Sequence, residues 1–400
     1  MAALSGAKIG AIGLYMGKNC SAFFCRSRQF AKVGVVGTNH VAHLTATHGE
    51  PYPRAKPWPY KTRGYNVIYE LFDKTTKRLN DNSKVIVVEG NMALGKHKLA
   101  EDIAREFDLL YVPAPKFDDI FILSWSGFDI RELDEQLPKA AQCWDLKRFY
   151  TDPNAKRSRV GLSQVFFYMD KVFTYAKAVH HMLSTGQGVV LVRSPHSDNA
   201  FANTMRKFDY YSPAGLKYYN MIRDNSICEI LHPHVTVYLD APVSKVREGI
   251  KKRNIPHEVN SKVLTDEYIQ SIDNEYKTTV LPDMRRHGAV LQYDLREDLD
   301  LEIVVEDLER LDLEASPEEY PDRFREWTTL KEDEWAYYRK FYGSDIAVGG
   351  LFSRPMPIDV PELMLDTETA EIWRSVVESH PGYRYEKGFD PEQNQVLFRM

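Results

Sequence analysis

Cysteine is scarce in this 400-residue chain, and acid is missing from its beginning. The four cysteines, Cys20, Cys25, Cys143 and Cys228, are scattered; they form neither a metal-ligand spacing nor a secreted disulfide framework. Free thiols in a reducing compartment are the expectation. No apolar run approaches the roughly 20 residues of a membrane span, so any membrane association is expected through a partner rather than a span of its own. An excess of positive charge is also lacking: the net charge of −5 argues against nucleic acid as a partner. Met1 to Gly49 contains no Asp or Glu, yet carries Lys8, Lys18, Arg26, Arg28 and Lys32 among small and hydroxyl residues. That is the composition of a mitochondrial transit peptide. A secretory signal would follow its basic start with a longer apolar core, which Lys8 and Lys18 interrupt. Residues 1–35 are assigned to this address, with cleavage near Arg26–Phe30.

What is present begins with Val85-Ile-Val-Val-Glu-Gly-Asn-Met-Ala-Leu-Gly-Lys-His-Lys-Leu99. A β-branched apolar run reads as a buried strand. Gly90, Gly95 and Lys96 follow in the spacing G-x-x-x-x-G-K, and Leu99, Ile103 and Phe107 then recur at helical period. Strand, glycine-rich turn and helix in that order are the setting of a phosphate-binding loop. Its glycines let backbone N–H groups curl around phosphate oxygens at a helix N-terminus. One position departs. His97 stands where such a loop carries the Ser or Thr that ligates Mg²⁺, and neutral imidazole is a poor ligand for a hard, oxygen-seeking ion.

The rest of the chain follows an alternating pattern. Pro51 to Tyr60 holds four prolines, so residues 36–63 read as an extended arm with Trp58 and Tyr60 available for docking. Residues 66–80 read as an amphipathic helix with Ile68, Leu71, Phe72, Thr75 and Leu79 on one face. Short apolar strands are expected at Leu109–Val112, Val189–Val192, Val235–Leu239 and Ala289–Tyr293. Between them come helical stretches over 129–150 (interrupted at Pro138), 162–184, 199–207, 213–231, 243–253, 266–287 and 302–311. The helix over 162–184 is apolar on several sides and so expected to be buried. Five short strands alternating with helices define an α/β domain over 64–312: a parallel sheet covered on both faces, in a three-layer P-loop kinase-like arrangement. Residues 313–400 break the pattern. Tyr320, Phe324, Trp327, Trp335, Tyr337, Tyr338, Phe341 and Tyr342 make this extension aromatic-rich, as docking surfaces are.

Phosphoryl transfer needs a base and further cations, expected at the C-terminal ends of neighbouring strands. Val192-Arg193-Ser194 there resembles the acid-Arg-Ser motif of the deoxyribonucleoside kinase family, whose Arg contacts phosphates. Val112-Pro-Ala-Pro115 resembles that family's Glu-Pro pair, with Ala114 where the base carboxylate should be. Gln164 matches the Gln that reads the nucleobase, and Lys251-Lys252-Arg253, followed by Glu258, resembles the basic lid. The resemblance implies a nucleotide site of Gly90, Gly95, Lys96, Gln164, Arg193 and Arg253 with its chemistry eroded: no loop hydroxyl, no base, no acid at Val192. Asp118 or Asp119 is the alternative source of a base. No metal or cofactor is required on this reading; a purine nucleotide is the ligand such a site would hold. FAD has no supporting motif, because Gly90–Lys96 is a phosphate loop and not G-x-G-x-x-G.

Thr185-Gly-Gln-Gly-Val-Val-Leu191, Val192-Arg-Ser194, His232-Pro-His234, Val237-Tyr-Leu-Asp240 and Val304-Val-Glu-Asp307, joined to the presequence, arm and extension, resemble a narrower group. These are the nucleoside-kinase-like accessory subunits of respiratory complex I, the NADH dehydrogenase of the mitochondrial inner membrane. That resemblance implies a non-catalytic subunit on the matrix side of the membrane arm, with other complex subunits as partners and neither iron–sulfur cluster nor quinone site. Two other readings stay open: an active mitochondrial deoxyribonucleoside kinase, and a nucleotide-binding sensor within the complex.

Overall fold

The β-branched runs form five parallel strands, β1 Val85–Gly90, β2 Leu110–Val112, β3 Val189–Val192, β4 Val235–Asp240 and β5 Ala289–Asp294. Their order across the sheet is β2-β3-β1-β4-β5. Every residue of β1 and β3 is buried, which is why they read as continuous apolar runs without alternation. Val88 lies opposite Val192 on one side and Val237 on the other, so the C-terminal ends of β1, β3 and β4 are level. That edge is where ligands bind in such sheets. The computed structural model describes residues 43–154, 160–313, 322–328, 330–353 and 360–389. The transit-peptide assignment and the first part of the arm lie outside these.

The helices used below are α1 Val67–Phe72, α2 Lys96–Glu106, α3 Val160–Thr185, α4 Asn199–Lys207, α5 Pro213–Ile227, α6 Val243–Arg253, α7 Asp266–Glu275, α8 Leu301–Arg310 and α9 Glu332–Tyr342. The most apolar of them, α3, is buried on nearly every side. It packs on β3 and α5, and its outer side is covered by α9. A helix without a polar face needs such a cover, and here the C-terminal extension supplies it. Phe324, Trp327, Trp335, Tyr338 and Tyr342 are all buried in the core. The aromatic richness expected to dock partners is therefore largely taken up by the chain's own body, α9 covering α3 and Trp327 packing on His234 at the start of β4.

Three further expectations are corrected. Over 129–150 there is no long helix, only a 3₁₀ segment Ile130–Gln136 and a short helix Leu146–Thr151. Pro138 forces Leu137 into an extended conformation (φ −105°, ψ 144°), and Asp134 then binds the Cys143 N–H at 2.9 Å and Arg148 at 3.0 Å, closing a loop. Over 66–80 only α1 and a 3₁₀ turn, Thr76–Arg78, are helical. Thr75 is buried, but Ile68, Leu71 and Phe72 face outward, so the expected common face is split. The arm's aromatics are not free either. Trp58 packs on Tyr65 and Tyr69, and the Tyr60 hydroxyl meets His181 Nδ1 at 2.8 Å.

The extension is also clasped to the sheet. Glu326 accepts hydrogen bonds from the His232 backbone N–H at 2.8 Å and from His232 Nδ1 at 3.0 Å. Asp283 lies 3.8 Å from His232 Nε2, and His287 lies 3.4 Å from Glu326. The ligand atoms of His232, His287 and Glu326 fall within 4.8 Å of one another. However, the two imidazoles stack nearly parallel, 3.8 Å apart at 6°. Burial disfavours the His232 cation, but the neighbouring Asp283 and Glu326 carboxylates overcome this and raise its pKa to about 9. Glu326, despite burial, is held well below the usual carboxylate range by the two histidines.

The sign of the pH effect follows. A raised histidine stabilises fully below its unfolded value of 6.5 and loses that contribution as pH rises through about 9. A depressed carboxylate stabilises above its unfolded value of 4.5 and loses that contribution below it. Urea midpoints are therefore expected to be highest between these two unfolded values and to decline toward pH 9. Glu326→Gln should remove most of the alkaline decline. A decline unchanged in that variant would assign it to another group.

Candidate nucleotide site

The loop after β1 is shaped by two close approaches. Gly90 has φ +133°, and a Cβ there would lie 2.7 Å from the Leu239 carbonyl oxygen of β4. In α6, a Cβ on Gly249 would lie 2.1 Å from the Ala93 oxygen, so α6 rests directly on the loop. Gly95 then takes the left-handed conformation (φ 74°) that starts α2. Lys96 is almost fully buried, and its ammonium donates to the Asn91 carbonyl. Burial, and then the nearby Arg193 guanidinium, hold Lys96 well below its ordinary pKa, with Glu89 acting the other way. A buried cation among other cations is a site prepared for an anion.

The side chains of a working kinase are partly replaced. His97 Nδ1 is engaged by the Tyr111 hydroxyl at 2.8 Å. Burial, then Lys96 and Arg193, lower its pKa, so it is a neutral imidazole. Glu89, which is fully buried, uses both oxygens: one accepts from the Ser194 N–H and hydroxyl at 2.9 and 3.0 Å, the other from Tyr276 at 3.0 Å. Tyr276 opens the π turn Tyr276–Val280 that follows α7. These residues fit a Mg²⁺ ion poorly: the hydroxyl is missing and both oxygens of the buried carboxylate are already engaged by protein donors.

Ala114 and Val192 both line the cavity where the family motifs carry acids. Neither Asp118 nor Asp119 replaces them. Asp118 pairs with Arg131 at 3.1 Å, and Asp119 accepts from the Lys116 N–H at 3.2 Å. Neither lines the cavity. Arg193 does, held at φ 67°, a left-handed conformation that non-glycine residues seldom adopt. Its guanidinium sits 4.3 Å from the centre of the Phe201 ring.

The cavity has a volume of about 850 Å³ and runs from this cradle between α3, α4 and α6. Gly95, Lys96, Gln164, Arg193 and Arg253 line it, so the structure brings five of the six expected site residues together, while Gly90 shapes the loop from below. In the lid, Lys252 and Arg253 face the cavity and Lys251 does not; Arg253 pairs with Glu258 at 2.7 Å. The sequence reading missed Lys171, Asp198 and Glu89. Asp198 is fully buried and accepts from Gln164 at 3.0 Å, from Tyr219 at 2.6 Å and from Lys171. Lys171 lies seven residues after Gln164 in α3, on the same side of the helix. A lysine one helical stripe from Gln164, in a helix buried on nearly every side, was the signal that could have found it.

Comparison with known proteins agrees with this geometry. The family model for deoxynucleoside kinases matches residues 86–339. A protein of Bos taurus, NADH dehydrogenase [ubiquinone] 1 alpha subcomplex subunit 10, mitochondrial, is 34% identical over 327 residues, covering 82% of this chain and 89% of that one. Its counterpart in Mus musculus is 36% identical, covering 80% and 85%. A deoxyguanosine kinase of Dictyostelium discoideum is 27% identical over 234 residues, covering 58% and 72%. The chain therefore belongs to the deoxynucleoside kinase family and, within it, to the group formed by the alpha subcomplex subunit 10 proteins.

Proposed function

We propose that this chain is an accessory subunit of the mitochondrial NADH dehydrogenase, built on a deoxynucleoside-kinase fold that no longer transfers phosphate. The observation that carries the reading is a preserved cradle beside replaced chemistry. Gly90, Gly95, Lys96 and Arg193 remain, while Ala114, Val192 and His97 stand where base, acid and metal-binding hydroxyl would be. The relatives that match most of the chain carry the name of such a subunit. No described helix is long and apolar enough to cross a membrane, which agrees with a peripheral position. We place it on the matrix side of the membrane arm, with other subunits of the complex as partners. The acid-free N-terminus is the reason for placing it in mitochondria.

In blue-native separation of mitochondrial membranes, the chain should migrate with the intact complex and leave it only when the complex dissociates. Migration wholly as a free monomer would overturn the assignment. The cavity also fits a purine nucleotide as a retained ligand. Its cations face the loop, and Gln164, held by Asp198 behind it, offers its amide deeper in.

A further inference from the structure

Helix α1 is amphipathic the wrong way round. Val67, Ile68, Leu71 and Phe72 are 68%, 65%, 74% and 82% exposed, and no residue of the helix is buried. The helix is nevertheless firmly held. Asn66 caps it through Ile68 and Tyr69 at 3.0 and 3.2 Å, and the Tyr65 hydroxyl donates to the Asp73 carbonyl at 2.9 Å. The acids of this stretch face the body of the protein, where Glu70 pairs with Lys340 at 2.5 Å and Asp73 with Arg339 at 2.8 Å and with Arg78. The bases do the opposite. Lys61, Lys74 and Lys77 are exposed and form no ion pair with a described residue. Arg63, also exposed, stacks over Tyr69 at 4.3 Å.

We propose that α1 is a membrane-surface anchor: its four apolar side chains enter the outer part of an anionic lipid bilayer while the surrounding lysines and Arg63 contact lipid phosphates. Four exposed apolar groups flanked along the chain by exposed cations, on a helix whose own acids are neutralised behind it, match an anionic headgroup layer in both polarity and charge. A protein partner matches less well, because lysine is depleted from protein interfaces. The anchor is not expected from the sequence pattern, which turns the same residues toward the core. It also means that contact with the membrane need not come only through a partner. The inference does not depend on membership of the complex, since bare vesicles suffice to test it.

The full chain should float with vesicles of phosphatidylcholine and cardiolipin and bind poorly to phosphatidylcholine alone. The double variant Leu71→Glu/Phe72→Glu, at positions without core contacts, should lower partitioning by about a hundredfold. Lys74→Glu/Lys77→Glu should lower it by at least about tenfold. Ile303→Glu, at another exposed apolar position on α8, should leave it unchanged. Equal flotation of wild type and Leu71→Glu/Phe72→Glu, or no flotation of wild type, would overturn the proposal. So would binding that ignores both cardiolipin and the lysine variant. If the apolar variant instead leaves the complex in blue-native gels while wild type ignores vesicles, α1 docks on protein and the lipid assignment fails.

Discussion

Given labelled ATP, Mg²⁺ and each deoxynucleoside in turn, the purified chain will transfer no phosphate above background. On the proposed reading Ala114 stands where the general base would be, and positioned proton transfer contributes about 10²–10⁴ to rate. The hydroxyl that would order the metal is replaced by His97, whose Nδ1 is engaged by Tyr111, and lost electrostatic stabilisation costs a further factor of about 10²–10³. Glu89 cannot take over, since its oxygens already accept from Ser194 and Tyr276. Such effects are not additive, but either alone takes the rate far below the roughly 1–100 s⁻¹ of kinases. For the same reason Ala114→Glu or Val192→Glu alone should not revive transfer. Binding is a separate matter, because the cradle depends on Gly90, Gly95 and Lys96 and not on His97. ATP at a hundredfold excess over Kd would stabilise the fold by about 2.7 kcal/mol, a melting shift of a few degrees that Lys96→Ala should abolish. Turnover in the ordinary kinase range would return the chain to the active enzymes of its family.

How much of this was legible depends on what decides each feature. The strands could be read because β1 and β3 are buried throughout and β4 in all but its last residue, and a buried strand writes its environment largely as Val, Ile and Leu. The phosphate loop could be read because glycine is demanded at both motif positions, at Gly90 by the close approach of Leu239 and at Gly95 by a left-handed backbone. What could not be read depends on partners distant in sequence. The orientation of α1 is set by Lys340, Arg339 and Glu332, more than 250 residues further along, and not by the period of Ile68, Leu71 and Phe72. The fate of the C-terminal aromatics was undecidable from their own composition, because a docking surface and a cover for α3 use the same residues. The deep end of the cavity was half-legible. Gln164 stood out by resemblance, whereas Asp198 acquires meaning only when folding brings Gln164, Lys171 and Tyr219 onto its two oxygens.

The ion cluster that fixes α1 makes an asymmetric prediction about stability. Arg339 is completely buried, and burial lowers its pKa, with Asp73 opposing this. Its Nη1 donates to Asp73 at 2.8 Å, its Nε reaches Ser184 at 3.3 Å, and its guanidinium lies 3.7 Å from the centre of the Tyr65 ring. Among the described residues its Nη2 has no hydrogen-bond acceptor and Asp73 is the one carboxylate bonded to it; that same carboxylate also binds Arg78. Removing Asp73 therefore leaves two largely buried guanidinium groups without an anion, whereas removing Arg339 leaves Asp73 still paired with Arg78. Breaking a buried pair from the side that leaves a charge behind costs about 3–5 kcal/mol. Asp73→Ala is expected to lose about that much in urea unfolding, and about 5 °C or more in melting temperature. Arg339→Met, which keeps the volume and leaves no uncompensated charge, should lose clearly less. Because α9 reaches α1 through Asp73–Arg339 and Glu70–Lys340, Asp73→Ala should also speed proteolysis between Tyr60 and Lys77 in the folded protein. Equal losses in the two variants, or a larger loss from Arg339→Met, would mean that the contacts of the Arg339 side chain with Tyr65 and Ser184, rather than charge compensation by Asp73, hold the N-terminal arm to the C-terminal helix.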